Sequence, residues 1–260
     1  MAAARTKDQR QRDVLVILKE HGTASVSELG TRLGVAEMTI RRDLEALEAD
    51  GVLKRFHGGA KLTFGSSYEP PLAVRERTNR VQKRAIAEQV AQLIDDGDTV
   101  IVDGGSTGFA VAQVLADRHV TVCPLSLRVA WAFERSTTVN MLLPPGSVRR
   151  GELSISGADT GDFLRGHHFD HYVMTASGLS IDKGFTEWNV HDAAVKRAAI
   201  EVSDNTVAAV DSSKFGSVRF VQICKIEQAH VIVTDTGLAD SDATELTNAA
   251  QEVILARPEE

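Results

Sequence analysis

The chain has 260 residues and 28.1 kDa, 43% of them apolar and 25% charged, the make-up of a soluble globular protein with one large or two unequal domains. No apolar run approaches the roughly 18 to 20 residues of a membrane helix, and the charged start MAAARTKDQRQRD lacks the apolar segment of a secretory signal. Cys123 and Cys224 stand far apart in no CxxC pattern, which excludes a disulfide scaffold and a thiolate zinc finger and suits the reducing cytoplasm, the expected location.

The net charge of −7 conceals an asymmetry: residues 1–84 carry 16 Lys/Arg against 11 Asp/Glu, a net +5, whereas residues 85–260 carry 13 against 25, a net −12. A basic head on an acidic body is expected of a nucleic-acid-binding module joined to a domain of another kind. Chance clustering on a solvated surface is the alternative that charge alone leaves open.

In chain order, residues 9–21 (QRQRDVLVILKEH) place apolar side chains at 14, 15, 17 and 18 ahead of Gly22 and predict a helix. Ser25-Val26-Ser27-Glu28 is a capping-box pattern for a second helix, with Val26, Leu29 and Leu33 inward and Gly34 as its stop. The third segment, EMTIRRDLEALEAD, aligns Ile40, Leu44 and Leu47 on one stripe and turns Met38, Arg41, Arg42 and Glu45 outward, with Gly51 closing it. VLKRF and AKLTF around His57-Gly58-Gly59 predict a hairpin.

Three short helices and a hairpin form the winged helix-turn-helix layout. Its third helix suits the major groove, with Arg41 and Arg42 toward bases or phosphates, and Lys54, Arg55, His57 and Lys61 of the wing toward the backbone or minor groove. A helical packing domain with a salt-bridged surface is the alternative.

The stretch TIRRDLEALEADGVLKRFHGGA, with Thr39 at its head, resembles the signature of the DeoR family of bacterial transcription regulators. The resemblance implies binding to double-stranded operator DNA through Thr39, Arg41, Arg42 and the wing. One departure is Ala36, where the family usually has serine: alanine is a poor N-cap, costing about 0.5–2 kcal/mol against serine.

Residues 64–74 (FGSSYEPPLAV) predict a linker stiffened at Pro70-Pro71, dividing a DNA-binding domain at 1–63 from an effector-sensing domain at 75–260. Arg75, Arg77, Arg80, Lys83 and Arg84 then lie on a helix expected to run through Ile94, most simply as its solvated face. Beyond residue 97, runs such as TVIVD, HVTVC, TVNMLL, HYVMTA, TVAAVD and HVIVTD alternate with helix-like segments. This pattern predicts an α/β doubly wound body with a parallel sheet, and ligands beyond the carboxyl ends of its strands.

Two such loops carry chemistry. Asp103-Gly104-Gly105-Ser106-Thr107-Gly108 leaves a strand and opens a helix, where glycines admit an anion and the helix N-terminus favours it. Asp211-Ser212-Ser213-Lys214-Phe215-Gly216 follows another strand and offers a cation for a phosphate. Taken singly, each is also an ordinary polar turn.

With the KGFT turn at 183–186 and the AAVKRAAI helix, these loops resemble the DeoR-type sensor domain, which is similar in fold to sugar-phosphate isomerases. The resemblance implies a phosphorylated sugar or related effector held by Asp103, Gly105, Ser106, Thr107, Lys196, Asp211 and Lys214, with Lys183-Gly184 at an isomerase-like turn. Departures are Pro124-Leu125 for the family's Thr-Asn pair, Pro145-Gly146 for a Gly-Gly loop, and the bulky Trp188 after Glu187.

His167, His168, Asp170 and His171 are expected to be structural, and neither a metal nor a cofactor is expected. The reading is a ligand-responsive regulator, in families like this most often a repressor of carbohydrate genes, binding DNA as a homodimer or higher homo-oligomer and no membrane. The alternative is an active sugar-phosphate isomerase with a fused DNA-binding head, which needs a carboxylate base from Asp103, Glu187, Asp192 or Asp211. A third reading, a helix-turn-helix used only for protein docking, is disfavoured by Arg41 and Arg42.

Overall fold

A computed structural model describes residues 7–49, 52–62 and 69–258. It parts into two compact units, Met1–Val74 and Arg75–Glu260. Gly51, Thr63 and residues 64–68 of the expected linker lie outside the described residues.

The first unit holds α1 (Lys7–His21), β1 (Thr23–Ser25), α2 (Val26–Leu33), α3 (Glu37–Ala49), β2 (Leu53–Phe56) and β3 (Gly59–Leu62). The apolar stripes meet in one core of Val14, Leu18, Leu29, Leu33, Ile40, Leu44 and Leu47. The capping box is formed: Glu28 N–H donates to Ser25 Oγ at 3.1 Å and Ser25 N–H to Glu28 Oε2 at 2.7 Å, and Gly34 ends α2 in the left-handed region at φ +66°. Asp43 of α3 is buried and ion-paired with Arg10 of α1, whose Nη2 donates to Asp43 Oδ1 at 3.1 Å.

The wing is wider than a hairpin. β1 pairs antiparallel with β3, Thr23 opposite Lys61, giving a three-stranded sheet of order β1-β3-β2. Three residues are too few to show a strand period, so this strand exists by virtue of its partner. The approach is close: a Cβ on Gly59 would lie 2.6 Å from the Ala24 carbonyl oxygen, so only glycine fits.

The short helix α4 (Leu72–Arg77) runs across the boundary at Arg75, and α5 (Arg80–Ala91) is the first helix wholly within the second unit. There follow β4 (Thr99–Val102), α6 (Gly105–Leu115), β5 (Thr121–Pro124), α7 (Leu127–Trp131), β6 (Asn140–Met141), β7 (Ser147–Val148), β8 (Ile155–Ser156) and α8 (Ala158–Arg165). The chain continues with β9 (Phe169–Met174), β10 (Gly178–Ser180), β11 (Gly184–Glu187), α9 (Val190–Glu201) and β12 (Ser203–Ala209). It ends with β13 (Val221–Cys224), β14 (Val231–Asp235), α10 (Asp240–Ala249) and β15 (Val253–Ala256).

Seven strands in the order β15-β14-β12-β9-β4-β5-β6 make one sheet, every neighbouring pair parallel. Apolar residues cover both faces, Ile101, Phe169, Tyr172 and Ile232 in one core and Val100, Val122, Ile86 and Leu115 in the other, as the continuously apolar strands require. The strand order departs in opposite directions from β4 and β9. The crevice between their carboxyl ends is the topological switch point, where open α/β sheets bind ligands.

Three expectations are corrected. The helix expected from Arg75 to Ile94 is two, broken at Asn79, whose φ of +53° is left-handed; its Nδ2 donates to Asp211 Oδ1 at 2.9 Å, which holds the break. Lys83, read with the solvated face, is 4% exposed and donates to the Arg75 carbonyl at 2.9 Å and to the Thr78 carbonyl. A second, antiparallel sheet of order β10-β11-β13 adjoins the parallel one, and the KGFT segment enters it, with only Lys183 left in the turn.

Candidate functional site

In the head, α3 presents Met38, Arg41 and Arg42 to solvent and Thr39 half-buried beside them. Arg41 makes an exposed pair with Glu37 at 3.4 Å, of the kind worth little in water and readily exchanged. Thr39 and Ile40 N–H both donate to the Ala36 carbonyl, at 2.9 and 3.3 Å, so the helix starts on backbone alone where a serine would add a hydroxyl.

The wing residues divide. Lys54 and Lys61 face each other across β2 and β3 and are exposed, as is His57. Like charges directly opposite cost stability in a sheet. Arg55 is different: its Nε donates to Glu48 at 2.7 Å and its Nη1 to Glu45 at 2.9 Å, tying the wing to α3.

In the body, Asp103 ends β4 at the switch point and is buried. It accepts from Gly104 N–H at 2.7 Å, from Thr175 N–H and Oγ1 at 2.9 Å each, and from Lys196 Nζ at 2.9 Å. Lys196 also donates to Glu187 Oε2 at 2.7 Å and to the Thr175 carbonyl at 2.9 Å. Burial opposes its charge, yet Asp103 and Glu187 hold the ammonium well above the usual lysine range. Glu187 is below the usual carboxylate range: burial acts against this, and the charge of Lys196 prevails. With its donors spent on three protein oxygens, Lys196 braces the Gly-rich loop.

α6 begins at Gly105 with no side-chain cap. Ser106 and Thr107 sit in its first turn, largely buried, and their hydroxyls make no hydrogen bond among the described residues. A Cβ on Gly108 would meet the Asp103 carbonyl oxygen at 2.0 Å, so glycine lets the helix start directly against the strand end. The Gly104 N–H is taken up by Asp103 at 2.7 Å, which leaves the N–H groups of Gly105, Ser106 and Thr107 at the positive end of the helix dipole without a side-chain cap. A cavity of about 290 Å³ adjoins it, lined among others by Lys83, Ser106, Phe109 and Arg128.

The second loop follows β12. Asp211 is buried and accepts from Asn79 Nδ2 and from Ser213 N–H at 3.2 Å, while Lys83 stands 3.8 Å away. Burial would raise its pKa, but Lys214, Lys83 and these hydrogen bonds hold it below the usual range. Lys214 has no carboxylate within ion-pair distance among the described residues; its ammonium lies 5.9 Å from the Trp188 ring centroid. Burial lowers its pKa, Asp211 opposes this, and Arg75 and Arg219 add to the lowering.

The structure therefore gathers Asp103, Gly105, Ser106, Thr107 and Lys196 at the end of β4 and places Asp211 and Lys214 on the loop after β12, with β9 between the two strands. It adds Asn79, Lys83, Thr175, Arg75 with its partner Glu152, and Arg219, none of which carries a motif. Lys183 is exposed in the β10–β11 turn. Leu125 packs in the core, and the histidines pair locally, His168 with Asp204 and His171 with Asp98, at 3.1 Å each. Among the described residues no three His, Cys, Asp or Glu side chains are placed to hold a metal. No described helix is long and apolar enough to cross a membrane.

A helix-turn-helix head with a basic wing, joined to an α/β body with a crevice at its topological switch point, defines a DNA-binding transcriptional regulator with a sensor domain. Residues 10–63 match the DeoR-like helix-turn-helix domain and residues 78–236 the DeoR C terminal sensor domain; the chain belongs to the DeoR family.

It is similar to the uncharacterized HTH-type transcriptional regulator YulB of Bacillus subtilis, at 32% identity over 88% of this chain and 89% of that one. It is equally similar to the glycerol-3-phosphate regulon repressor of Escherichia coli, at 32% over 87% and 90%. Among solved structures it is similar to ribose 5-phosphate isomerase A of Methanocaldococcus jannaschii, with 14% identity, TM-score 0.41, and 53% and 55% of the chains covered.

Proposed function

We propose that this chain represses carbohydrate-metabolism genes and is released from its operator by a phosphorylated sugar or related metabolite bound at the start of α6. The observation that carries this reading is one of unmet chemistry: an uncapped helix N-terminus, two unpartnered hydroxyls at Ser106 and Thr107, and Lys214 with no carboxylate at ion-pair distance. A phosphate monoester supplies what all of them lack. The relative named for the glycerol-3-phosphate regulon is a repressor, which favours repression here. Recognition of paired operator half-sites calls for at least a dimer.

The same reading assigns the chain no isomerase turnover. A proton shuttle needs a carboxylate free to take up and release a proton near neutral pH. Asp103 and Glu187 are both bonded to Lys196 and Asp211 is held by Asn79 and Ser213; burial raises the Asp192 carboxyl, but it too is paired, with Arg149 at 2.7 Å.

The test uses an operator selected from random duplexes. The preformed complex is titrated with glycerol 3-phosphate, hexose 6-phosphates and their unphosphorylated counterparts. Release by a phosphorylated compound and not by its counterpart is expected; release by the unphosphorylated partner at the same concentration overturns the phosphate assignment.

A further inference from the structure

Trp188 occupies a position in the body that apolar packing does not explain. Its side chain is 5% exposed, yet no acceptor among the described residues is within hydrogen-bond distance of the indole Nε1. Burying a donor without an acceptor forfeits its hydration, and native proteins seldom do so without a compensating role. Three cations gather on the same ring: Arg75 Cζ at 5.4 Å, Arg219 Cζ at 5.4 Å and Lys214 Nζ at 5.9 Å from its centroid.

Cation–π attraction favours each contact singly, but three like charges around one ring repel one another, and none can accept from the N–H. Nearby carboxylates do not resolve this. Glu152 is paired with Arg75, while Glu187 accepts from Lys196, from Ser177 Oγ and from the backbone N–H of Trp188 at 2.8 Å. Arg219 donates through Nε to the Ser177 carbonyl at 3.1 Å and, like Lys214, has no carboxylate within ion-pair distance among the described residues. An anionic oxygen is the one partner that accepts from the indole and relieves the repulsion together.

Arg75 connects this cluster with the anion site already described. Its Nη1 lies 3.5 Å from where a Cβ on Gly105 would stand, while its Cζ sits by the Trp188 ring. We propose that Trp188 Nε1 and Arg219 are effector-binding groups that receive an anionic oxygen of the phosphorylated effector, either from the phosphate itself or from a carboxylate elsewhere on the molecule. This rests on the phosphate reading of the α6 site. It makes the residue after Glu187 a determinant of effector choice.

The full chain carrying Trp131→Phe keeps Trp188 as its only tryptophan, so emission reports this site. It is titrated at constant ionic strength with inorganic phosphate, glycerol 3-phosphate and 3-phosphoglycerate, the last two differing by a carboxylate. A saturable change in emission is expected. Arg219→Gln in that background, and Trp188→Phe followed by calorimetry, should each weaken binding roughly 10- to 150-fold, the range for a hydrogen bond to a charged group.

Equal weakening toward all three probes identifies a phosphate oxygen, and weakening toward 3-phosphoglycerate alone identifies a carboxylate; either result supports the proposal. If both variants bind like the parent while Lys214→Met binds more weakly, the proposal is overturned and the phosphate reading stands. If the parent binds none of the three, both fall.

Discussion

Lys196 of α9 reaches the end of β4 and donates to Asp103 at 2.9 Å while holding Glu187 at 2.7 Å with the same ammonium. One buried cation thus ties a helix to the Gly-rich loop of the parallel sheet and to the end of β11, one residue before Trp188. Removing the charge leaves two carboxylates buried and uncompensated, which costs about 3–5 kcal/mol where a buried pair is broken. Lys196→Met should therefore lower the unfolding free energy of the body, measured by urea denaturation, by that amount. Loss of effector binding with unchanged stability would instead make Lys196 a direct ligand.

Lys83 gives the body a pH signature. Burial, reinforced by Lys214 and Arg75 and opposed by Asp211, brings its ammonium down to about 8, against about 10.4 in an unfolded chain. Below about 8 both states hold the proton, and the folded protein carries the full cost of a buried charge. Between the two values the unfolded chain binds a proton that the folded chain has released, so stability rises with pH, by up to roughly 3 kcal/mol from this group. The free-energy gap between the parent and Lys83→Met should widen in the parent's favour from pH 7 to 10. An identical gap at both pH values would place Lys83 in the ordinary lysine range.

DNA binding should separate the wing residues by their partners. Lys54→Ala and Lys61→Ala should weaken all duplexes alike and each lower the slope of log K against log salt by about 1, as lost phosphate contacts do. Arg55→Ala should leave that slope unchanged, because Glu45 and Glu48 already neutralise its guanidinium. Arg42→Ala should cost roughly 1–3 kcal/mol on the selected operator and less on random DNA if it reads a base edge. A uniform loss across sequences would make it a phosphate contact.

What the sequence made legible followed from short-range rules. The capping box at Ser25 and Glu28, the stripe Ile40-Leu44-Leu47 and the glycines after Asp103 are each specified by neighbours a few residues away. The rest depends on distant partners. Lys83 sits among cations spread around a helix, so nothing periodic marks it as the buried one; Asp211 and the broken turn at Asn79 decide that. Lys196 and Lys214 are both lysines of matching motifs, yet one is surrounded by protein oxygens and the other has none at bonding distance. That difference arises only when β4, β11 and α9 meet. Arg219 lies in a stretch without a pattern, and its place beside Trp188 follows from the antiparallel sheet that the alternating strand pattern did not announce.

The contrast between the two lysines yields the last test, which separates sensing from DNA binding. If Lys214 with Ser106 and Thr107 holds a phosphate, Lys214→Met removes a charge-assisted hydrogen bond worth about 1.5–3 kcal/mol, or roughly 10- to 150-fold in effector affinity. Ser106→Ala should cost less, since a neutral hydroxyl is lost while the backbone N–H groups of α6 remain. Operator affinity without effector should persist in both, because Arg42, Lys54 and Lys61 belong to the other compact unit. Burial and its fellow cations already lower the Lys214 pKa, so methionine should leave stability at pH 7 unchanged or raise it, opposite to Lys196→Met. The measurement is effector titration of the preformed protein–DNA complex, with thermal unfolding of the same variants alongside. A Lys214→Met protein that responds at the parent's effector concentration would move the phosphate elsewhere; one that unfolds early would make Lys214 a structural cation.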